Sequence, residues 1–352
     1  MRKLGVLLAI GALALAQAAG TRVTLYPRFA ELAEPVRIEH GVFVWQPGER
    51  VAAALVQDLV WMTGTKVLRR VWRNGNLWIF AEGERGVLHH LTRGLSGSVR
   101  YALDVDAGRL LAWLRAQNEL DAPLEVEELR FVSGSVPLVG GVRAVEGRME
   151  ALAAPVAKSA EAPVFAGSTG GVFRYRLAGP LVLEPEVTEL PLFELAVKPA
   201  FYWRYAGPFQ KGRRLPFRRG YRFLAPKPLA AGTFDLFAGG DFLGRLGAPD
   251  TYAGERVELE LGPAPRARSE RRIEVLAERR DLRRYRVETR VKNPGDEPVH
   301  VEVEEFFQAD EVELVLSEGE RRPRGYRVAF ELPPGGEHRY RYEVTLRYKR
   351  RE

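Results

Sequence analysis

Apolar and polar residues alternate along the C-terminal half of the chain, which is the pattern of half-buried β-strands. Residues 284–291, 325–332 and 339–348 each place apolar residues or threonine on one face and mainly charged residues on the other. Short segments rich in proline, glycine and asparagine separate these runs. Short antiparallel strands with one polar face predict an immunoglobulin-like β-sandwich over residues 221–352.

The N-terminal half also predicts β-structure, in a less regular pattern. Asn74-Gly75 lies between two apolar runs and is the strongest short signal for a β-hairpin. Residues 51–62 and 107–117 have compositions that also suit a helix. We predict the second to be a strand, because a strand leads into it and Asn118 ends it. Further strands are predicted at residues 21–26, 36–44, 98–105 and 129–136.

These patterns predict an all-β, mainly antiparallel fold with two β-domains. The stretch at 151–170 is rich in alanine, proline, serine and glycine, which is typical of a linker or an exposed loop. The predicted order is a signal peptide at 1–18, an N-terminal β-rich domain at 21–150, the linker at 151–170, a connecting β-hairpin at 171–220 and the sandwich at 221–352.

The first residues have the features of a secretory signal peptide. Arg2 and Lys3 precede an uncharged apolar run, and Ala16-Gln17-Ala18 has the small residues that signal peptidase recognises. The alternative is an uncleaved membrane anchor, but the run is shorter than the roughly 20 residues that span a bilayer. We therefore expect an exported protein of the periplasm, cell envelope or extracellular space, soluble or peripherally attached.

Composition excludes several kinds of chemistry. The chain of 352 residues has no cysteine, which rules out disulfides, thiol catalysis and cysteine-based metal sites, and it has only five histidines. Arginine outnumbers lysine, and oxidisable residues are few, which favours a thermophilic source.

Charge is unevenly distributed around a formal net value of +7. Residues 201–224 contain seven basic residues and no acid, whereas residues 301–320 contain eight acids and no base. The acidic run could ligate calcium, but it lacks the spacing of a calcium-binding loop, and Glu302 and Glu304 fit a solvated strand face. His89 and His90 are adjacent, so a strand would point them to opposite faces and away from a shared metal.

Scattered stretches resemble a family of exported bacterial proteins known as the domain of unknown function 4139 family, whose longer members are called mucoidy-inhibitor A-like. The sequence contains no counterpart of the coiled coil of those longer members. The resemblance implies a β-rich, exported and non-catalytic protein, and it implies no particular activity. It is carried by residues 23–31, 129–138, 229–237, 241–245, 253–262, 291–294 and 298–301.

No catalytic or nucleotide-binding motif is complete. Gly94-Leu95-Ser96-Gly97-Ser98 lacks the second glycine of a nucleophile elbow at the required position. Gly239-Gly240 is typical of a hairpin turn and does not begin a dinucleotide-binding fingerprint. The sequence therefore predicts no cofactor, no metal site and no enzymatic activity.

The strongest candidate site interleaves cations with aromatic rings. Arginine can bind phosphate or carboxylate through two hydrogen bonds, and aromatic faces stack on sugars or bases. The alternative is a hairpin whose arginine stems cover packed rings. A smaller basic loop surrounds Asp281-Leu282, with Arg279, Arg280, Arg283 and Arg284. The candidate residues are Trp203, Arg204, Lys211, Arg213, Arg214, Arg218, Arg219, Tyr221 and Arg222.

The leading hypothesis is a non-enzymatic envelope protein that binds an anionic envelope polymer or another envelope protein. One alternative is a hydrolase that cleaves surface polysaccharide with paired carboxylates, which would require two facing acids across a cleft. Another is an exported DNA-contacting protein, whose binding would weaken steeply with salt.

Overall fold

The computed structural model describes residues 20–120, 122–134, 164–169 and 172–349. The predicted signal peptide and most of the predicted linker lie outside these residues. The described chain is almost entirely β-strand, and most strand pairs are antiparallel. The predicted all-β class is therefore confirmed.

The strands and the one helix of the described residues follow in chain order. The first part comprises β1 Arg22–Leu25, β2 Ala30–Arg37, β3 Val42–Trp45, α1 Glu49–Ala54, β4 Leu55–Thr63, β5 Lys66–Arg73, β6 Asn76–Glu82, β7 Arg85–Thr92, β8 Leu95–Asp104, β9 Arg109–Asn118, β10 Leu124–Val132, β11 Val164–Thr169, β12 Val172–Leu183 and β13 Glu186–Ala196. The second part comprises β14 Ala200–Pro208, β15 Arg218–Leu224, β16 Gly232–Ala238, β17 Asp241–Ala248, β18 Arg256–Pro263, β19 Arg268–Glu278, β20 Leu282–Lys292, β21 Val299–Phe306, β22 Glu311–Leu316, β23 Glu320–Arg322, β24 Gly325–Leu332 and β25 Glu337–Arg347.

These strands form five sheets. Strand β1 pairs in parallel with β10, and β14 pairs in parallel with β21. The strand orders are β11-β12-β10-β1-β2-β7-β4, β13-β9-β8-β16-β17, β18-β15-β14-β21-β24-β23, β19-β20-β25-β22 and β3-β6-β5.

The chain divides into two compact units. The described parts of 1–100 and 112–193 form unit 1, which contains the seven-stranded and three-stranded sheets. The described parts of 101–111 and 194–352 form unit 2, which contains the six-stranded and four-stranded sheets. The domain limits predicted from the sequence remain predictions, because the linker on which they depend lies largely outside the described residues.

The six-stranded and four-stranded sheets of unit 2 share one apolar core. Alternate residues of each strand point inward, as the sequence pattern requires. Val301 and Val303 of β21 lie in this core with Val287 of β20 and Tyr342 of β25. Trp203 of β14 lies there too. Residues 171–220, predicted as a connecting hairpin, contribute β12 to the seven-stranded sheet, β13 to the five-stranded sheet and β14 to the six-stranded sheet.

The two segments with helix-compatible composition have different outcomes. Residues 51–62 are helical only as far as Ala54, and the remainder forms β4. Val60 and Met62, at alternating positions, enter an apolar cluster with Leu88 of the neighbouring strand β7, so packing overrides local helix preference. Residues 107–117 lie mostly in β9, as predicted.

Candidate functional site

The aromatic rings of the predicted site pack inside unit 2. Trp203 is buried, and its ring centroid lies 6.4 Å from that of Phe217. Tyr221 is half-buried, with its ring 5.2 Å from that of Phe201. Burial raises the pKa of Tyr221, with smaller contributions from nearby Glu297 and Asp106. These rings therefore support the fold and do not form an open stacking surface.

Several of the predicted cations are neutralised by carboxylates of the same sheet. Arg204 Nη1 lies 3.0 Å from Glu258 Oε2, and its Nη2 lies 3.8 Å from Glu304 Oε2. Arg218 donates a hydrogen bond from Nε to Glu260 on β18. The parallel pairing of β14 with β21 places Arg204 opposite residue 302, so the basic and acidic runs of the sequence lie side by side.

Glu302 is the centre of this charge network. It is 6% exposed and accepts hydrogen bonds from Arg222 and, at 3.1 Å, from Arg327. Arg256 Nη1 lies farther from this carboxylate, 3.9 Å from Glu302 Oε1. Burial alone would raise the pKa of Glu302, but Arg222 and Arg327 outweigh it and hold the pKa below its ordinary value. Glu302 thus neutralises arginines and has little capacity left for a cation such as calcium.

Arg213, Arg214 and Arg219 are the predicted cations that remain exposed and without a carboxylate partner among the described residues. The loop between β14 and β15 that carries the first two is tied to β19. The Arg271 backbone N–H donates to the Arg213 carbonyl at 2.9 Å, and the Leu215 N–H donates to Ser269 Oγ at 2.9 Å. The loop therefore presents two adjacent guanidinium groups from an anchored backbone.

The side chain of Lys211 contacts residues beside the smaller basic loop. Its Nζ is 3.1 Å from Glu278 and 4.9 Å from the centre of the Tyr285 ring. Hydrogen bonding to Tyr285 and Glu278 raises the pKa of Lys211. The turn between β19 and β20 contributes Arg283, whose guanidinium lies 5.2 Å from the Tyr348 ring. The fold thus brings together two basic segments that are about 70 residues apart in the sequence.

A groove at this end of unit 2 consists of two adjoining cavities, and we call it the end groove. The larger has a volume of about 890 Å³ and the smaller about 320 Å³. Both are lined by Phe307, Gln308 and Tyr348, so the two cavities lie side by side. The cations that line the end groove are Lys211, Arg280, Arg283, Arg324 and Lys349.

The end groove also contains two carboxylates, those of Asp281 and Asp310. The Asp310 carboxylate accepts the Lys349 backbone N–H at 2.7 Å, which holds the end of β25 against the loop after β21. No carboxylate lies within ion-pair distance of Arg280, Arg283, Arg324 or Lys349 among the residues that the structure describes. Aromatic rings, free cations and a concave surface therefore occur together here, as an anionic ligand requires.

Sequence reasoning missed a buried ion pair in the core of unit 2. The Arg271 and Glu305 side chains are both fully buried and make two hydrogen bonds of 2.7 Å to each other. Glu305 also accepts hydrogen bonds from Tyr326 at 2.9 Å and Tyr342 at 2.8 Å. Burial raises the pKa of Tyr342 well above its ordinary value, and the charge of Glu305 adds to this effect.

A sequence signal for this pair exists. Val301 and Val303 point inward, so the alternation assigns Glu305 to the same buried face. We expected Glu302 and Glu304 to lie on a solvated strand face, and that expectation is wrong for Glu302, which is buried. A carboxylate at an inward position requires a buried cation, and Arg271 meets that requirement from β19.

His89 and His90 point to opposite faces of β7, as the geometry of a strand predicts. His89 Nδ1 lies 2.9 Å from Glu31 Oε1 and its Nε2 lies 2.8 Å from Thr63 Oγ1, whereas His90 is buried against Trp45. His300 and His338 are each partly exposed beside a glutamate. The described residues contain no group of three histidine, aspartate or glutamate side chains arranged to hold a metal.

No protein-family model matches this sequence, and the comparison with curated proteins gives no match. Among the described residues, no helix has the length and apolar character needed to cross a membrane.

Proposed function

We propose that this chain is an exported, non-enzymatic cell-envelope protein that binds an anionic envelope polymer in the end groove. The observation that carries the proposal is the concentration of five cations and several aromatic rings around these two adjoining cavities. Arginine and lysine would contact phosphate or carboxylate groups of the polymer, and Tyr348 and the exposed Phe306 would contact its apolar faces. The predicted signal peptide and the resemblance to exported bacterial proteins support the envelope as its location.

The end groove suits polymer binding better than the basic-aromatic segment at 201–224 that the sequence predicts as the site. In that segment Arg204, Arg218 and Arg222 are already paired with glutamates, so an anionic ligand would have to displace those partners. In the groove, Arg280 and Arg324 are exposed and carry no such pairing among the described residues. An anion gains more from an unpaired guanidinium because no existing ion pair has to be broken.

The test is a binding titration with poly(glycerol phosphate) over a salt series. We expect the apparent Kd to rise roughly tenfold or more between low and high salt. The reason is that lysine and arginine side chains displace counterions from the polymer when they bind it, and high salt opposes that release. A groove variant, Arg280→Ser with Arg283→Ser and Arg324→Ser, should lose most of this binding. The matched control removes the same charge elsewhere, through Arg213→Ser, Arg214→Ser and Arg219→Ser, and should keep it.

The alternative outcomes are distinct. If only the control variant loses binding, the site lies at the loop before β15, and the groove assignment fails. If wild type binds duplex DNA more tightly than poly(glycerol phosphate) at the same salt, the DNA-contacting alternative is preferred. If no polymer binds, the function proposed here is wrong, and envelope proteins become the partners to examine.

A hydrolase is the second candidate, and Asp281 and Asp310 favour it because both line the same groove. Paired carboxylates across a cleft are the machinery of glycoside hydrolysis. Release of reducing ends from surface polysaccharide, abolished by Asp281→Asn or Asp310→Asn with polymer binding intact, would establish this activity. Absence of release by the wild-type protein would exclude it for the polysaccharides assayed.

A further inference from the structure

A second surface, in unit 1, has an apolar centre that no other part of the described chain covers. The three-stranded sheet β3-β6-β5 has one buried face, where Leu77, Ile79 and Ala81 pack in an apolar cluster with Leu88. Its opposite face is open to solvent. We call this opposite face the outer face of the small sheet.

The outer face is apolar at its centre. Directly paired residues on neighbouring strands share a face, and the registers place Val44, Trp78 and Val71 in one row across the sheet. Their exposed fractions are 36%, 37% and 38%. The next row contains Val42, Phe80 and Arg69, with the Arg69 guanidinium 4.2 Å from the centre of the Phe80 ring. Exposed apolar patches of this kind mark interaction surfaces.

Cations border this apolar centre. Strand β5 carries four basic residues and no acid. Lys66 is neutralised by Glu82 at 3.0 Å, and Arg70 donates to the Val60 carbonyl. Arg69 and Arg73 have no carboxylate partner among the described residues, and the pairing of Arg73 with Asn76 places it on the outer face. The outer face therefore combines an apolar row with two uncompensated positive charges.

The chemistry of the face selects among three possible occupants. A glycan would place hydroxyl groups against Val44 and Val71, which offer no hydrogen-bonding partner. A second copy would bring Arg69 and Arg73 to a face whose carboxylate, Glu82, is already engaged by Lys66. An anionic bilayer supplies phosphates for the arginines, an interfacial region for Trp78 and acyl chains for the valines.

We propose that the outer face of the small sheet docks on the surface of an anionic phospholipid bilayer. Trp78 lies at the level of the headgroups, Val44 and Val71 contact the acyl boundary, and Arg69 and Arg73 pair with lipid phosphates. The end groove belongs to unit 2, so this attachment is independent of the proposed polymer binding. A peripheral protein attached in this way needs no membrane-spanning segment.

The experiment is flotation of the mature protein, from Thr21 onward, with vesicles. One set contains phosphatidylglycerol mixed with phosphatidylcholine, and the other contains phosphatidylcholine alone. We expect flotation with the anionic vesicles and about tenfold weaker partitioning for the variant Arg69→Gln with Arg73→Gln. The variant Val44→Thr, Val71→Thr and Trp78→Thr should lose binding. The control variant Phe242→Thr, Val275→Thr and Val315→Thr alters apolar residues elsewhere that are more exposed, and it should keep binding.

Two readouts make the result decisive. Circular dichroism and binding of poly(glycerol phosphate) report on folding and on the end groove, and both should be unchanged in the outer-face variants. Equal flotation with neutral and anionic vesicles, or equal flotation of outer-face and control variants, would overturn the proposal. Sedimentation that reveals a dimer lost in the outer-face variants, without vesicle binding, would assign the face to a second copy and overturn it as well.

Discussion

Individual buried polar residues determine much of the specificity of this fold. The Arg271–Glu305 pair has no exposed side-chain surface and is completed by two tyrosine hydroxyl groups. Although burial by itself lowers the pKa of Arg271, the hydroxyl of Tyr342 and the carboxylate of Glu305 outweigh it and hold that pKa above its ordinary value. Removing both charges of a buried ion pair costs less stability than removing one, because the single remaining charge would be buried without a partner.

Loss of one partner of this pair should therefore destabilise unit 2 strongly. Arg271→Met and Glu305→Leu should each lower the free energy of unfolding by about 3–5 kcal/mol. The double variant should recover a large part of that loss, and urea unfolding of all four proteins measures the coupling. Arg268→Met, an exposed arginine on the same strand, is the control and should change little. Single variants no worse than this control would mean that the pair is solvated.

His90 makes stability depend on pH. Burial, with a smaller contribution from His89, lowers its pKa from 6.5 to about 4. The unfolded chain takes up a proton near pH 6.5, whereas the folded protein resists protonation until about pH 4. Stability should therefore be lost as the pH falls through that window, by on the order of 3 kcal/mol in total.

Urea midpoints measured between pH 7 and pH 4 check this expectation. His90→Leu should remove this component of the acid sensitivity, whereas His300→Leu, at a partly exposed position, should retain it. Parallel pH profiles for wild type and His90→Leu would contradict the assignment, because carboxylates would then account for the whole acid response.

At the scale of elements, the short turns set the strand registers. Asn74 and Gly75 both have positive φ, 51° and 77°, which is the backbone of a type I′ hairpin turn. This turn fixes the pairing of β5 with β6 near the turn and so determines that Val71 and Trp78 share a face. A shift of one residue would move Trp78 to the buried face and Leu77 to solvent.

Gly75→Ala should lower the free energy of unfolding by about 1–2 kcal/mol, because a side chain disfavours the left-handed backbone. Nothing lies within 4 Å of the Cβ that alanine would add, so the cost is conformational and not steric. Gly247→Ala is the matched control, since its φ is ordinary and its surroundings are also open. Equal stability of the two variants, measured by urea unfolding, would exclude a conformational cost at Gly75.

The sequence predicted the elements better than their pairing. Alternation identified strands such as β20 and β25, and Asn74-Gly75 and Gly239-Gly240 identified two hairpins correctly. The parallel pairing of β14 with β21 joins segments about 100 residues apart, and no local pattern encodes that contact. The sequence therefore leaves open whether the basic run is a ligand site or a hairpin whose arginines cover packed rings, although the acidic run that neutralises Arg204 and Arg222 lies in the same sequence.

At the scale of the molecule, many of the positive and negative charges are arranged in networks that link several strands. On the solvent face of the four-stranded sheet, Glu343 lies 2.9 Å from Arg284 and 2.8 Å from Arg286, and Arg286 also pairs with Glu274. Hydrogen bonds from Arg286 and Arg284 lower the pKa of Glu343. Networks of this kind gain importance at high temperature, where the desolvation cost of charges falls.

Glu343→Gln should therefore lower the unfolding temperature, since it removes the carboxylate that two arginines share. The decrease should be largest at low ionic strength and should shrink in about 1 M salt, where the Debye length is near 3 Å. Glu320→Gln is the control, because Glu320 forms an isolated exposed pair with Arg322, and such pairs contribute little. Thermal melts of the three proteins at two salt concentrations separate the cases.

Equal melting temperatures for both variants would mean that the network adds nothing beyond its individual pairs. A larger decrease for Glu343→Gln would support the thermophilic source that the composition predicts.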